Sequence, residues 1–159
     1  MKINYRINCC LVLSFLVFCS FFTNKANYQT ECVSLETDGY YTIKIWDTKK
    51  RDNYRSEDAR KDALHAILFS GIAGTNGCVT QKAMLNKLEY QQNFKSIEKD
   101  FFAKKGKWSA FTRTATTATT LPVAIGNQKW KVYQISISKS ELSQYLEELK
   151  IIQTLNNQF

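Results

Sequence analysis

His65 is the only histidine in this chain of 159 residues, and Cys32 and Cys78 are the only cysteines beyond Cys19. These side chains are the candidates for thiol, imidazole-base or multi-ligand metal chemistry. One imidazole leaves a single candidate base for a Ser-His or Cys-His pair, and it removes zinc centres built on several histidines. His65 falls between Ala63 and Ala66 in a helical stretch, the setting of a partly exposed helix histidine. Residues 32 onward hold no C-x-x-C, so thiol redox chemistry has no local signature, and no G-x-S-x-G elbow occurs.

Carboxylates can do acid–base work without histidine. Asp58 and Asp62 are four residues apart, and Glu147 and Glu148 are adjacent. Both pairs read as solvated helix charges. Glu31, Glu36 and Asp38 lack the regular oxygen-ligand spacing of a calcium loop. The glycine-rich run GIAGTNGC at 71–78 follows a helix and is not closed by Gly-Lys-Ser/Thr, so it is a turn and not a phosphate cradle. No catalytic residue, metal site or cofactor is expected. The remote alternative is an enzyme of unfamiliar type, with a deep pocket converging on His65 or on paired acids.

The elements that would position these residues follow from periodicity. Residues 40–46 (YYTIKIW) alternate, with Tyr41, Ile43 and Ile45 on one face, which predicts a half-buried strand. After a charged loop at 47–55, Ser56 offers an N-cap, and Glu57 and Asp58 suit the first helical turn. Ala59, Ala63, Ala66, Ile67 and Ser70 make one face of that helix, and Gly71 is its stop. A second helix over 90–105 carries the stripe Tyr90, Phe94, Ile97 and Phe101.

Strands are predicted at 108–114 (WSAFTRT) and 129–137 (KWKVYQISI), pairing antiparallel across a Thr-rich connection at 115–127. Ser138 and Glu141 form a capping box for a last helix striped by Leu142, Tyr145, Leu146 and Leu149. The expected fold is α/β of the α+β kind. About three strands form a small mixed or antiparallel sheet, with helices on one face, in the order β-α-α-β-β-α.

The start of the chain reads as an export signal. Lys2 and Arg6 precede 14 uncharged residues at 9–22 (CCLVLSFLVFCSFF), and Ala26 offers a small residue for cleavage. That run has the length of a signal core and is short of the roughly 20 residues needed to span a bilayer. Four segments are expected: a signal peptide at 1–26, a polar lead-in at 27–38, one domain at 39–152 and a flexible tail at 153–159. An uncleaved anchor is the alternative for the first. Cys19 as a lipidation site fits poorly behind the bulky Phe18. Cleavage would remove Lys2, Arg6 and Lys25 and no acid, lowering net charge from +8 to +5. An even pair of cysteines in an oxidising compartment suggests a Cys32–Cys78 disulfide, with two free thiols as the alternative.

A binding surface is expected where basic and indole groups meet: Lys104, Lys105, Lys107, Trp108 and Arg113, with Lys129, Trp130 and Lys131 on the neighbouring strand. Such a mixture suits lipid head groups, glycans or an acidic partner. The competing reading puts Trp108 in the core with the lysines as its solvated fringe.

The chain resembles a family of small exported proteins of unknown function from Bacteroides-type bacteria. The resemblance lies in GYYTIKIW (39–46), DARKDALHAILFSGI (58–72), YQQNFKSIEKDFFAKKGKWSAF (90–111) and KWKVYQISISKSELSQYLEELKII (129–152). The element pattern is also similar to the N-terminal module of flagellar assembly protein T and related envelope lipoproteins. The resemblance implies a small α/β domain used in envelope assembly, and it carries no catalytic residue. The charged loop at 47–55 and the basic balance depart from the family pattern.

Together these readings predict a non-enzymatic protein of the periplasm or outer membrane whose partner is another envelope protein. The alternative partner is an anionic glycan or lipid head group. Nucleic acid is not expected behind an export signal.

Overall fold

The computed structural model describes residues 26–35, 39–50, 53–74, 78–115, 123–125 and 128–153. The apolar opening run, Cys19, most of the Thr-rich connection and the last six residues lie outside the described residues. In order, the chain forms β1 (Tyr28–Leu35), β2 (Tyr40–Asp47) and α1 (Ser56–His65), which continues as a π-helical turn through Ala66–Ser70. Then come α2 (Leu88–Lys95), α3 (Glu98–Phe101), a 3-10 turn (Lys107–Phe111) and β3 (Thr112–Thr114). β4 (Val123–Ile125), β5 (Gln128–Trp130), β6 (Tyr133–Ser138) and α4 (Lys139–Glu148) complete it.

Four strands make an antiparallel sheet in the order β1-β2-β6-β3, and β4 and β5 form a separate two-stranded hairpin. The expected α+β sheet is therefore present with one strand more than predicted. The extra strand is β1, which occupies the stretch read as a polar lead-in. Its register places Cys32 opposite Ile43 on the core side and Glu31 opposite Lys44 on the other side. Its run YQTECVSL carries four apolar residues without a strict period-two alternation, so patterning does not announce it as a strand.

The core face predicted for β2 is present, with Tyr41, Ile43 and Ile45 fully buried opposite β6, but Thr42 and Trp46 on the other face are buried as well, so the strand is not half-buried as expected. On the helix side, Ala59, Ala63, Ala66 and Ile67 are fully buried, and the small alanines let α1 lie close against β2, β6 and β3, whereas Ser70, expected on the same face, is exposed. Each fully buried Ile or Leu is worth roughly 1.5–3 kcal/mol over its exposed state. Gly71 ends the helical run at φ +74°, a conformation that L side chains rarely adopt.

Three predicted elements change in detail. The helix expected over 90–105 is broken at Ser96 and Ile97, where Ser96 Oγ donates to Asn93 O at 2.8 Å and Ile97 N donates to Phe94 O at 3.0 Å. These tighter bonds compete with the helical ladder. Its stripe survives the break, with Phe94 and Phe101 in edge contact at 5.3 Å. The segment 108–111 is a 3-10 turn instead of a strand, held by Trp108 Nε1 donating to Ala103 O at 2.8 Å. Only Thr112–Thr114 pairs with β6, antiparallel as expected. The strand expected over 129–137 divides at Lys131 and Val132, so Lys129 and Trp130 pair with β4 and not with β3.

Helix ends also differ. Ser56 begins α1 from inside, and its Oγ meets Thr114 Oγ1 at 2.8 Å, while the Arg55 backbone N–H donates to Asp58. Ser138 occupies the N-cap of α4 without a side-chain cap bond and is buried. Leu149, expected in the buried stripe, is 44% exposed. The helix stops one residue before it, and Lys150 turns at φ 56°, delivering Ile151 to the core in its place.

Candidate functional site

The expected basic and aromatic surface is dispersed. Lys104 and Lys105 are exposed in the turn after α3, and the Lys107 ammonium lies over the Tyr145 ring of α4 at 5.9 Å, on the helical side. Trp108 is buried in the core beneath two cations, Arg60 and Lys61, each 5.0 Å from its ring. Arg60 also clamps the 3-10 turn, with Nη2 donating to Ser109 O at 2.8 Å and Nε donating to Thr112 Oγ1 at 3.1 Å. Arg113 points to the opposite face of the sheet and stacks on the Tyr40 ring at 3.8 Å. Trp130 and Lys131 are half-buried at the end of the β4–β5 hairpin, and the Lys129 side chain lies outside the described ones. Strand alternation separates these groups, since Thr112 and Arg113 face opposite sides of β3.

That second sheet face is wet at its rim and dry at its centre. Thr42 Oγ1 and Ser136 Oγ meet at 2.7 Å in a buried pair. Trp46, 9% exposed, holds a buried Nε1–H that has no hydrogen-bond partner among the described residues.

Groups that the sequence leaves far apart converge on the other side, where β1, α1 and α3 meet. Tyr28 Oη lies 2.7 Å from His65 Nδ1 and 3.3 Å from Ser70 Oγ. The His65 ring rests against Phe69 at 4.8 Å. One turn earlier, the Tyr54 hydroxyl donates to Asp62 Oδ2 at 3.0 Å. An open recess of about 200 Å³ sits here, lined by Lys61, Asp62, His65, Glu98 and Phe102. It is smaller than the roughly 300–1,000 Å³ usual for small-molecule sites.

Titration behaviour follows burial. Desolvation holds His65 below its ordinary value, with the Glu98 charge opposing. Desolvation raises Asp62, against the Tyr54 hydrogen bond and the Lys50 charge, while Asp47 and Asp58 add to the rise. Tyr54 is pushed far up by burial and then by the Asp62 charge. Tyr28 is likewise raised, chiefly by burial. The result is an imidazole whose protonation is disfavoured, in a recess that Asp62 and Glu98 also line.

His65 was legible as a helix residue, and its setting was not, because Tyr28 belongs to the strand that patterning hides. No group of three or more metal-ligating side chains occurs among the described residues. The Cys32–Cys78 disulfide is present, with S–S 2.03 Å and Cα–Cα 6.2 Å, and it ties β1 to the loop after Gly71. No helix among the described residues is long and apolar enough to cross a membrane. Comparison with known protein families, curated proteins and solved structures returns no match.

Proposed function

We propose that this is an exported cell-envelope protein that acts without catalysis, by binding another envelope protein. The carrying observation is the Cys32–Cys78 bridge, whose Cys32 end is 1% exposed in the core of the sheet. Such bonds persist in oxidising compartments and are rare where thiols are kept reduced. The uncharged run at 9–22 behind Lys2 and Arg6 supports the same location. Binding is favoured over turnover because the His65 recess is open and small, and among the described residues the imidazole's side-chain hydrogen bond is to Tyr28.

The test is cross-linking in intact cells followed by co-purification from envelope fractions. A discrete partner supports the proposal. Recovery of the protein alone, in the soluble cytosolic fraction, overturns it.

A second reading, a binder of anionic glycans or lipid head groups, is favoured by one observation. The second sheet face carries the exposed Arg113 stacked on the Tyr40 ring at 3.8 Å, a cationic and aromatic pair. If so, Arg113→Glu abolishes binding to anionic vesicles or glycans, and unchanged binding excludes this surface.

A further inference from the structure

We infer that the cleft between residues 82–87 and the first turns of α2 and α4 receives an acidic segment of a protein partner. The inference rests on the protein-binding reading above and names the surface and the chemistry of the contact.

The cleft holds about 370 Å³, inside the range that the His65 recess falls short of. Three cations reach it from three places: Lys82 from the loop before α2, Lys87 from the N-cap of α2, and Lys139 from the first position of α4. Among the described residues none of the three pairs with a carboxylate, whereas Lys44, Lys50 and Lys61 each do. Lys87 and Lys139 also stand at the positive ends of their helices, where cations are disfavoured, and neither helix has a side-chain cap. The acids of those first turns, Glu89 and Glu141, do not line the cleft. An anion seated here offsets like charges that the fold brings together.

The walls are built into the fold. Met84 N and Leu85 N donate to Ile67 O at 3.0 Å and Leu68 O at 2.8 Å, tying the loop to the π-helical turn. Gln91 Nε2 donates to Leu85 O at 2.9 Å and ties α2 to the same loop. Lys139 donates to Gln81 Oε1, and the Lys87 ammonium lies over the Tyr90 ring at 4.9 Å. Two of the three ammonium groups are therefore held in place, which lowers the entropic cost of pairing with an anion.

Shape favours a peptide over a compact ligand. A second recess of about 630 Å³ adjoins the cleft and shares Tyr90, Ile152 and Gln153 with it, so the two form one groove. Met84 and Ile152, both half-buried, offer apolar contact at the lysine end. The second recess carries both signs, Glu89 and Glu147 with Lys150, so the three lysines alone select charge and set the direction of the segment. An extended chain with acidic residues followed by apolar ones matches this order. The formal charge of +8 steers such a partner toward the protein.

The probe is the peptide N-acetyl-Glu-Glu-Leu-Leu amide, titrated into the isotope-labelled, oxidised protein, with the Lys-Lys-Leu-Leu and Gln-Gln-Leu-Leu peptides as controls. Saturable backbone amide shifts centred on 82–90 and 139–143 are expected with the acidic peptide only, weakening as salt is raised. Lys82→Glu with Lys139→Glu should weaken binding about tenfold or more, while the charge-matched Lys104→Glu with Lys105→Glu should leave it within about twofold. Lys82→Gln with Lys87→Gln, both at exposed positions, should cost about threefold, and each variant is checked for a native spectrum. Shifts that do not saturate, equal binding of the Lys-Lys-Leu-Leu peptide, or equal losses in the two charge-reversed variants overturn the inference. A gain in affinity of about tenfold on deleting residues 154–159 also overturns it, because those residues then fill the groove. Capture of an envelope partner that Lys82→Glu with Lys139→Glu does not weaken refutes the groove and leaves the protein-binding reading standing.

Discussion

Tyr28 Oη and His65 Nδ1 lie 2.7 Å apart, although 37 positions separate the two residues in sequence. The contact pins the start of the edge strand to the end of α1 and fixes the imidazole at the recess. With Nε2 carrying the ring proton, Tyr28 donates to Nδ1, and the other edge of the ring remains for the recess.

The histidine makes stability depend on pH in a stated direction. Its folded-state pKa lies below the ordinary 6.5, so the unfolded chain binds the proton more readily. The stability it contributes is complete above about 6.5 and is lost as pH falls through the folded value. Urea denaturation of the protein and of His65→Gln should therefore diverge at pH 7.5 and converge near pH 5. A constant difference between the two contradicts this.

Tyr54 and Asp62 predict the opposite slope. The Asp62 carboxyl is raised in the fold, so its favourable contribution is present below the ordinary value of 3.8 and is lost as pH rises through the folded value. The Tyr54 hydroxyl limits that loss by donating to the carboxylate. Tyr54→Phe should destabilise by about 1–3 kcal/mol at pH 7, and by less at pH 4. Equal losses at the two pH values would show that the hydroxyl does not serve the ionised form.

The disulfide closes a loop with a sequence separation of 46. On the chain-entropy account a bridge of that span stabilises by roughly 4 kcal/mol. Cys32→Ser with Cys78→Ser should lower the denaturation midpoint accordingly, and reductant should have no further effect on the double variant. An unchanged midpoint would remove the bridge from the account of stability.

Two backbone positions give a paired test. Lys150 holds φ 56° with a side chain, so Lys150→Gly should stabilise by about 0.5–1 kcal/mol. Gly71 holds φ +74°, and a Cβ there would stand 2.6 Å from Gln81 O. Gly71→Ala should cost about 2 kcal/mol or more. Thermal unfolding of both variants checks the signs; the same sign for both would contradict the geometry.

What the sequence made legible was periodic. Tyr41, Ile43 and Ile45 announce β2, the alanine-spaced face announces α1, and Leu142 and Leu146 announce α4, because each pattern reflects burial on one side. β1 was hidden because its apolar residues do not alternate strictly and its pairing with β2 is a tertiary fact. Trp108 illustrates the limit for surfaces. Lysines around a tryptophan signal a binding patch or a core residue with a solvated fringe, and the 3-10 turn decides for the core. The recess was illegible for a related reason: its members come from α1 and α3, and Tyr28, which orients His65, sits on the strand that patterning concealed.

The most direct test of the account places a photo-reactive phenylalanine at exposed Lys99, next to Glu98, and irradiates living cells. The account predicts a discrete adduct with a second envelope protein, carrying an oxidised Cys32–Cys78 pair. A reduced protein in the cytosol that yields no adduct would contradict it.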